Sequence, residues 1–192
     1  MLVTGRNVLL RTARESDLDL LYEHQTDVEG LGLYFPIELP SMAAFRRLYA
    51  ETGFWHEHEG DALICSVVDG SPLGVILFFK SSPYYDGYEI GYRLFNTTSG
   101  GRGVTTEALA LMTYLLFAWK KINRLELKIA LDNIPSRRVA EKNGYMLEGV
   151  ARGCLFLRGV SHDMAVYSLL RSEAPATLDD ALRRIAQPVN ET

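Results

Sequence analysis

The chain places a glycine-rich turn between its clearest predicted strand and its clearest predicted helix. The strand, residues 88–95, alternates Tyr, Ile, Tyr and Leu on one face with Glu, Gly, Arg and Phe on the other. The helix follows at 105–121, where apolar side chains recur every three or four positions and form one broad stripe. Because 192 residues are little more than one domain, the sequence predicts a single compact domain built around this unit.

Local patterns predict the remaining elements. A strand at 8–12 opens the chain, and Ser16 and Ser41 are suitable N-caps for two helices that follow. The dipeptide Asp69-Gly70 is typical of a two-residue β-hairpin turn between two apolar strands. After the long helix the patterns predict, in order, a strand at 125–131, a helix at 135–144 and closing strands at 145–150 and 162–170.

Composition excludes several classes of protein. With a net charge of −4 and 47% hydrophobic residues, the chain has no global attraction for nucleic acid or an anionic membrane. No stretch approaches the roughly 18 apolar residues of a membrane span, and charged residues come early, so we expect a cytoplasmic protein. Cys65 and Cys154 are expected to be reduced and packed, and the four histidines show no metal-ligand spacing.

The polar segment 172–192 is predicted to be a tail with a short helix, which leaves residues 1–171 as the functional domain.

The glycine-rich turn at 100–106 is a candidate anion site. Backbone N–H groups at a helix N-terminus point outward, and the helix dipole favours negative charge. The alternative is a flexible connection without a ligand. The turn has neither the GxGxxG pattern nor the GK[ST] ending of the common nucleotide loops, so a different phosphate-bearing ligand is needed.

The segment GGRGVTTEAL resembles the pyrophosphate loop of the GNAT N-acetyltransferases, in which Gln or Arg, then a fixed Gly, then Gly or Ala open a long helix. Gly103 matches the fixed glycine, whereas Gly100 and Thr105 depart from the flanking positions. Together with EIGYRLF, LDNIPSRRVAEKNGYMLEG and GVSHDMAVYSLL, the chain is similar over residues 6–171 to the Rim-type branch, the N-terminal acetyltransferases of ribosomal proteins.

The resemblance implies an α/β (α+β) fold with a mixed, mostly antiparallel sheet, opened by a V-shaped split and flanked by helices. Acetyl-CoA would lie in the split as co-substrate. The backbone of Leu94 and Phe95 would bond the pantetheine arm, since unpaired strand groups can bind its amides. The pyrophosphate would lie against the backbone of Gly101, Arg102, Gly103, Val104 and Thr105.

Asn133 and Ser136 fall at the end of one strand and the start of the next helix. From the residues alone both are good N-cap residues. The resemblance implies instead that Asn133 contacts the co-substrate and that Ser136 places a hydroxyl beside the CoA sulfur. Many GNAT enzymes use a tyrosine from this helix, which has none here. The cations that could neutralise CoA phosphates are Arg137, Arg138 and Lys142.

Glu89 is the candidate base. It lies on the strand that would form one wall of the split, and Gly91 is expected to leave space beside it for a water and an amine. The alternative is an ion-paired strand residue. Glu148 and Asp163 are weaker candidates. Some Rim-type enzymes carry a catalytic Glu where this chain has Leu155, so their mechanism does not transfer directly.

The predicted activity is transfer of acetyl from acetyl-CoA to a primary amine by direct attack in a ternary complex. The acceptor is a small molecule, such as an antibiotic or a metabolite, or a protein N-terminus. Two alternatives stay open: a larger acyl-CoA such as succinyl-CoA, which would need Arg93 or Arg152 nearby, and a non-catalytic CoA-binding module. The closing strands could pair in a homodimer. Aromatic residues that could line an acceptor pocket are Tyr34, Phe35, Phe54, Trp55, Tyr84 and Tyr85.

Overall fold

A computed structural model describes residues 1–84, 86–96 and 103–187. The strands are β1 (Val3–Thr4), β2 (Val8–Thr12), β3 (Glu59–Ser66), β4 (Pro72–Lys80), β5 (Gly87–Leu94), β6 (Arg124–Ala130), β7 (Met146–Leu157) and β8 (Val160–Leu170). The helices are α1 (Leu18–Thr26), α2 (Met42–Thr52), α3 (Val104–Trp119), α4 (Ile134–Lys142) and α5 (Leu178–Arg184). The strands form one sheet in the order β1-β2-β3-β4-β5-β6-β8-β7.

The predicted mixed and mostly antiparallel sheet is confirmed, since β5 and β6 pair in parallel and their described neighbours pair in antiparallel fashion. Ser41 caps α2 as expected, with Oγ accepting the N–H of Ala44 at 3.2 Å. The β3–β4 hairpin also forms, but its connection is residues 67–71 and not a two-residue turn. Asp69 explains the difference, because its Oδ1 accepts both the N–H and the hydroxyl of Ser71 and builds a wider loop.

A split opens between β5 and β6. Their parallel pairing covers Gly87 with Arg124, Tyr88 with Leu125 and Glu89 with Glu126, and ends there. Beyond these pairs β5 continues to Leu94 and β6 to Ala130 without pairing to each other. Two adjacent strand edges therefore face each other with backbone groups available for a ligand.

The two faces of the sheet carry different layers. On one face Tyr88 and Ile90 of β5 are buried in a core that includes Leu109, Met112 and Leu116 of α3. The opposite face lies towards α1, where Arg93 donates to the C=O of His24 at 2.9 Å. Since side chains alternate along a strand, Glu89, Gly91 and Arg93 share the α1 face.

Glu107 fixes the N-terminus of α3 to the β1–β2 turn. Its buried carboxylate accepts the N–H groups of Arg6 at 2.5 Å and Asn7 at 2.8 Å, and also the side-chain amide of Asn7 at 2.8 Å. This anchoring holds the N-terminal end of the helix in place.

At the C-terminus, α5 packs against α3 and buries Ala181 and Leu182. The division of the chain at residue 171 stays a prediction. Cys65 is buried, whereas the expectation that Cys154 is packed is wrong, because Cys154 lies exposed on β7. Within the described ranges, no helix is long and apolar enough to cross a membrane.

Candidate active site

The N-terminus of α3 follows β5 in the chain and contacts the end of α4, where Asn143 Nδ2 donates to the C=O of Thr106 at 3.1 Å. Gly103 is the N-cap residue of α3, with φ of 78° in the left-handed region that favours glycine. The N–H of Glu107 donates to the C=O of Gly103, which leaves the N–H groups of the preceding turn, including those of Val104 and Thr105, without an intrahelical acceptor. The sequence-predicted Gly101 and Arg102 lie outside the described residues.

A depression of about 190 Å³ borders Gly103, and its lining includes Arg6 and Lys142. These two cations suit a phosphate-bearing ligand. Arg137 is placed differently, because its Nε donates to the hydroxyl of Tyr167 at 3.1 Å and its guanidinium also bonds the C=O of Leu131. Arg138 is exposed on α4.

The wall of the split formed by β5 presents Leu94. The N–H of Phe95 donates to the C=O of Leu73 on the other side, at 2.9 Å. Because successive residues of a strand direct their backbone groups to opposite neighbours, the backbone of Leu94 faces the split. The prediction for the pantetheine arm therefore depends on Leu94 more than on Phe95.

Ser136 meets a tyrosine from the opposite wall of the split. The hydroxyl of Tyr92 lies 2.8 Å from Ser136 Oγ and donates to the C=O of Ser136 at 3.3 Å. Burial raises the pKa of Tyr92 to about 12, so the phenol keeps its proton at neutral pH. Asn133 caps α4 through its Oδ1, which accepts the N–H of Ser136 at 3.3 Å, and its contact with a co-substrate stays a prediction.

The sequence pattern does not single out Tyr92, because its place in an alternating strand indicates core. No local signal pairs it with Ser136, since the two residues are 44 positions apart. Tyr145, which follows α4, lies elsewhere: it is buried and lies 2.8 Å from the Thr113 hydroxyl.

Glu89 lies at the point where the split begins, and it is ion-paired. Lys128 Nζ, from β6, donates to Glu89 Oε2 at 2.7 Å. Burial is the largest single influence on Lys128 and lowers its pKa, but the hydrogen bond to Glu89 and the nearby negative charges, chiefly those of Glu89 and Glu126, together outweigh it. The pKa is therefore raised and the ammonium stays charged. The prediction of open space beside Gly91 is wrong, because the side chain of Leu77 occupies it. A Cβ added at Gly91 would lie 3.3 Å from Leu77 Cδ1.

The weaker candidate carboxylates have partners within the sheet. Glu148 accepts from Arg124 at 2.8 Å and from Ser168 at 2.6 Å, and these bonds lower its pKa. Asp163 Oδ1 accepts the N–H of Gly153 at 2.7 Å in the β7–β8 hairpin. Leu155 pairs with His162 in the same hairpin.

A cavity of about 310 Å³ opens on the face of the sheet that carries Glu89. Of the aromatic residues proposed for an acceptor pocket, Phe35 and Phe54 line this cavity, and Tyr85 lies outside the described residues. Arg93 also lines it, whereas Arg152 is exposed.

In the part of the chain that the structure describes, no group of three or more His, Cys, Asp or Glu side chains could hold a metal ion.

Comparisons with known sequences agree on one family. The profile of the Acetyltransferase (GNAT) domain matches residues 7–146. The putative ribosomal N-acetyltransferase YdaF of Bacillus subtilis is 35% identical over 105 residues, which cover 55% of this chain and 57% of that protein. The ribosomal-protein-serine acetyltransferase of Escherichia coli is 31% identical over 96 residues, covering 50% and 53%. The chain thus spans about half the length of these curated relatives.

Solved structures share the fold. An acetyltransferase of the GNAT family from Bacillus anthracis superposes with a TM-score of 0.74 at 22% identity, covering 90% of this chain and 100% of that one. Spermidine N-acetyltransferase from Vibrio cholerae, in complex with CoA and spermine, gives 0.75 at 16% identity, covering 87% and 97%. RimJ from Mycobacterium smegmatis, in complex with CoA-disulfide, gives 0.71 at 22% identity, covering 93% and 88%.

Proposed function

Since the chain belongs to the GNAT acetyltransferase family, we propose that it transfers acetyl from acetyl-CoA to a primary amine. The observation that carries the proposal is the split between β5 and β6, which begins at Glu89, with the N-terminus of α3 following β5 in the chain. Solved relatives that share this fold were obtained with CoA bound.

Acetyl-CoA fits this arrangement in two parts. The pyrophosphate is held by backbone N–H groups from Gly103 to Thr105, with charge from Lys142 and Arg6. The pantetheine arm runs along the split, where the backbone of Leu94 bonds its amides. The thioester then lies between Glu89 on one wall and Ser136 on the other.

The reaction moves two protons. An acceptor that arrives as an ammonium ion must lose one proton before its nitrogen attacks the thioester carbonyl, and the departing thiolate must gain one as the C–S bond breaks. Glu89 lies on the α1 face of β5, and Tyr92 on the α3 face with Ser136. The two proton transfers are therefore separated by the sheet.

Glu89 accepts the first proton, directly or through a water. Lys128 keeps the carboxylate in position before the amine arrives. Ser136 donates the second proton to the sulfur and is resupplied by Tyr92. Neither cysteine takes part: Cys65 is buried in β3, two strands from β5, and Cys154 is exposed on β7, so no covalent enzyme intermediate is proposed.

Replacing Ser136 by Ala is expected to lower kcat by about a hundredfold, the low end of the contribution of one positioned acid, while it spares most of the affinity for CoA. Tyr92→Phe is expected to give a smaller loss, since Ser136 can still be resupplied by solvent. Rapid-mixing kinetics with matched calorimetric titrations of CoA measure both. Equal kcat in wild type and Ser136→Ala would remove Ser136 from the mechanism.

The identity of the acceptor and that of the acyl group are also proposals. One relative is named for a ribosomal protein and another for spermidine, so a peptide N-terminus and a small amine both need testing. Acetyl is proposed as the acyl group. The alternative is an acidic acyl group such as succinyl, which needs a cation nearby. Arg93, which lines the cavity on the α1 face of the sheet, is the residue to test for that role. Mass spectrometry of the product identifies the group transferred.

Thiol release from acetyl-CoA, measured over a panel of small amines and N-terminal peptides, tests the function. Turnover with either class supports acyl transfer and identifies the acceptor. CoA binding without turnover on any member of the panel would show a non-catalytic CoA-binding module instead.

A homodimer is proposed on the β7 edge of the sheet. This terminal strand exposes the apolar side chains of Met146, Leu147, Val150 and Phe156. Light scattering at micromolar concentration is expected to give twice the mass of one chain, and a monomer would reject the proposal.

We also propose that the protein acts in the cytoplasm, because its reaction consumes acetyl-CoA.

A further inference from the structure

The cavity on the α1 face joins a carboxylate to an apolar lining. Asp61 of β3 lies in its wall together with Glu38 and Arg93. The rest of the lining is mostly apolar or aromatic and includes Leu31, Phe35, Phe45, Phe54, Leu63, Val75, Leu77 and Phe79. A pocket with this lining accepts the apolar body of a ligand and uses its few polar groups to select the ligand's polar end.

Asp61 has no counter-charge among the described residues. Its backbone N–H donates to the C=O of Phe54, while among the described residues no side-chain hydrogen bond contributes to the pKa of its carboxylate. The carboxylate is accessible through the cavity, yet desolvation by the surrounding protein, together with the charges of Glu59 and Glu38, raises its pKa to about 6. Arg93 does not compensate it, since that guanidinium is directed to the C=O of His24.

An uncharged apolar occupant would leave Asp61 in an unfavourable state. It would displace water from the cavity and leave the carboxylate desolvated without a partner, which is costly. An occupant that carries a protonated nitrogen would instead form a charge-assisted hydrogen bond with the carboxylate. The cavity therefore selects a cation attached to an apolar body.

The position of Asp61 sets the distance to the reacting nitrogen. Asp61 pairs with Leu77 on β4, and Leu77 pairs with Gly91 on β5, so Asp61 is two strands from the wall of the split. Two spacings of about 4.8 Å place it about 10 Å from β5. This is too far for Asp61 to remove the proton from the attacking amine, and it matches an extended chain of about eight bonds.

We propose that the acceptor is an amphipathic diamine, whose first nitrogen is acetylated at the split and whose second, protonated nitrogen binds Asp61 across an apolar spacer. This inference rests on the proposed acetyl transfer and adds the acceptor class. Glu38, at the exposed rim, strengthens the attraction for the same cation.

Three acceptors with the same carbon chain test the proposal: a seven-carbon α,ω-diamine, whose nitrogens are about eight bonds apart, the corresponding amino alcohol, and the plain alkylamine. The diamine is expected to have a kcat/KM about tenfold to a hundredfold above the amino alcohol, mainly through KM, because one charge-assisted hydrogen bond is added. Asp61→Asn is expected to remove this preference, so that the diamine and the amino alcohol react with the same kcat/KM. The matched control is Glu51→Gln, an exposed carboxylate on α2.

A diamine preference that survives Asp61→Asn, or equal kcat/KM for diamine and amino alcohol in the wild type, would overturn the proposal while acetyl transfer stands. Failure of every amine to react would contradict the proposed function instead. In that case calorimetric titration of the diamine still decides: binding to the wild type and loss of binding in Asp61→Asn support the site, and equal heats in both reject it.

Thermal unfolding gives an independent measurement on the same variant. The raised pKa means that the ionised carboxyl destabilises the folded state above about pH 6. Asp61→Asn is therefore expected to raise Tm at pH 8, with a gain that shrinks as pH falls from 6 to 4. The diamine is expected to raise the Tm of the wild type but not of the variant. A diamine-induced shift of equal size in both would reject the site.

Discussion

Replacing Glu89 by Gln is expected to lower kcat by about 10²–10⁴-fold, the usual contribution of one positioned base. The loss should diminish at high pH, where more of the acceptor is already free amine and needs no proton acceptor. The side chain is isosteric and keeps an oxygen for Lys128, so CoA affinity should change little, whereas loss of the ion pair should lower Tm. A pH series of kcat for both proteins measures the effect.

The ion pair with Lys128 offers a competing explanation, in which Glu89 only stabilises the sheet. Lys128→Met breaks the same pair and retains the carboxylate. A base role predicts that Glu89→Gln loses far more kcat than Lys128→Met, whereas a purely structural role predicts equal losses that follow Tm. If Glu89→Gln turns over within twofold of wild type at every pH, water or a backbone carbonyl must remove the proton.

Gly103→Val is expected to weaken acetyl-CoA binding by about a hundredfold or more. With φ of 78°, Gly103 has a backbone conformation that a β-branched residue rarely adopts, so the start of α3 must rearrange. Each N–H···phosphate bond lost with that rearrangement is worth about 1.5–3 kcal/mol, and two of them account for the fall. Calorimetric titration of CoA measures it.

Gly70→Val provides the matched control. Gly70 has φ of 73°, and a Cβ at this position, as at Gly103, would have no atom within 4 Å, but Gly70 lies in the β3–β4 connection. The substitution should cost comparable stability and leave the Kd for CoA unchanged. A folded Gly103→Val protein with wild-type affinity would show that the pyrophosphate binds elsewhere.

The elements could be predicted from the sequence because their signals are local. The Ser41 cap, the apolar stripe of α3 and the glycine at its N-terminus each depend on residues within a few positions. The local pattern places the hairpin correctly but predicts too short a connection, because the hydrogen bonds of Asp69 to Ser71 compete with the two-residue turn.

The site was only partly predictable because its contacts are between distant segments. The pairing of Glu89 with Lys128 depends on parallel register between β5 and β6, and that of Tyr92 with Ser136 depends on how α4 packs. Asp61 has one sequence signal: it lies two residues before buried Leu63 and so on the same face. The depth of its cavity is set by the loop before α2, which the local pattern does not specify.

The most direct measurement is a crystal structure of the protein with acetyl-CoA. We expect the pantetheine arm between β5 and β6, the pyrophosphate on the N–H groups that follow Gly103, and the thioester sulfur within hydrogen-bonding reach of Ser136 Oγ. Acetyl-CoA bound outside the split, or a split closed by continued pairing of β5 with β6 beyond Glu89, would contradict it.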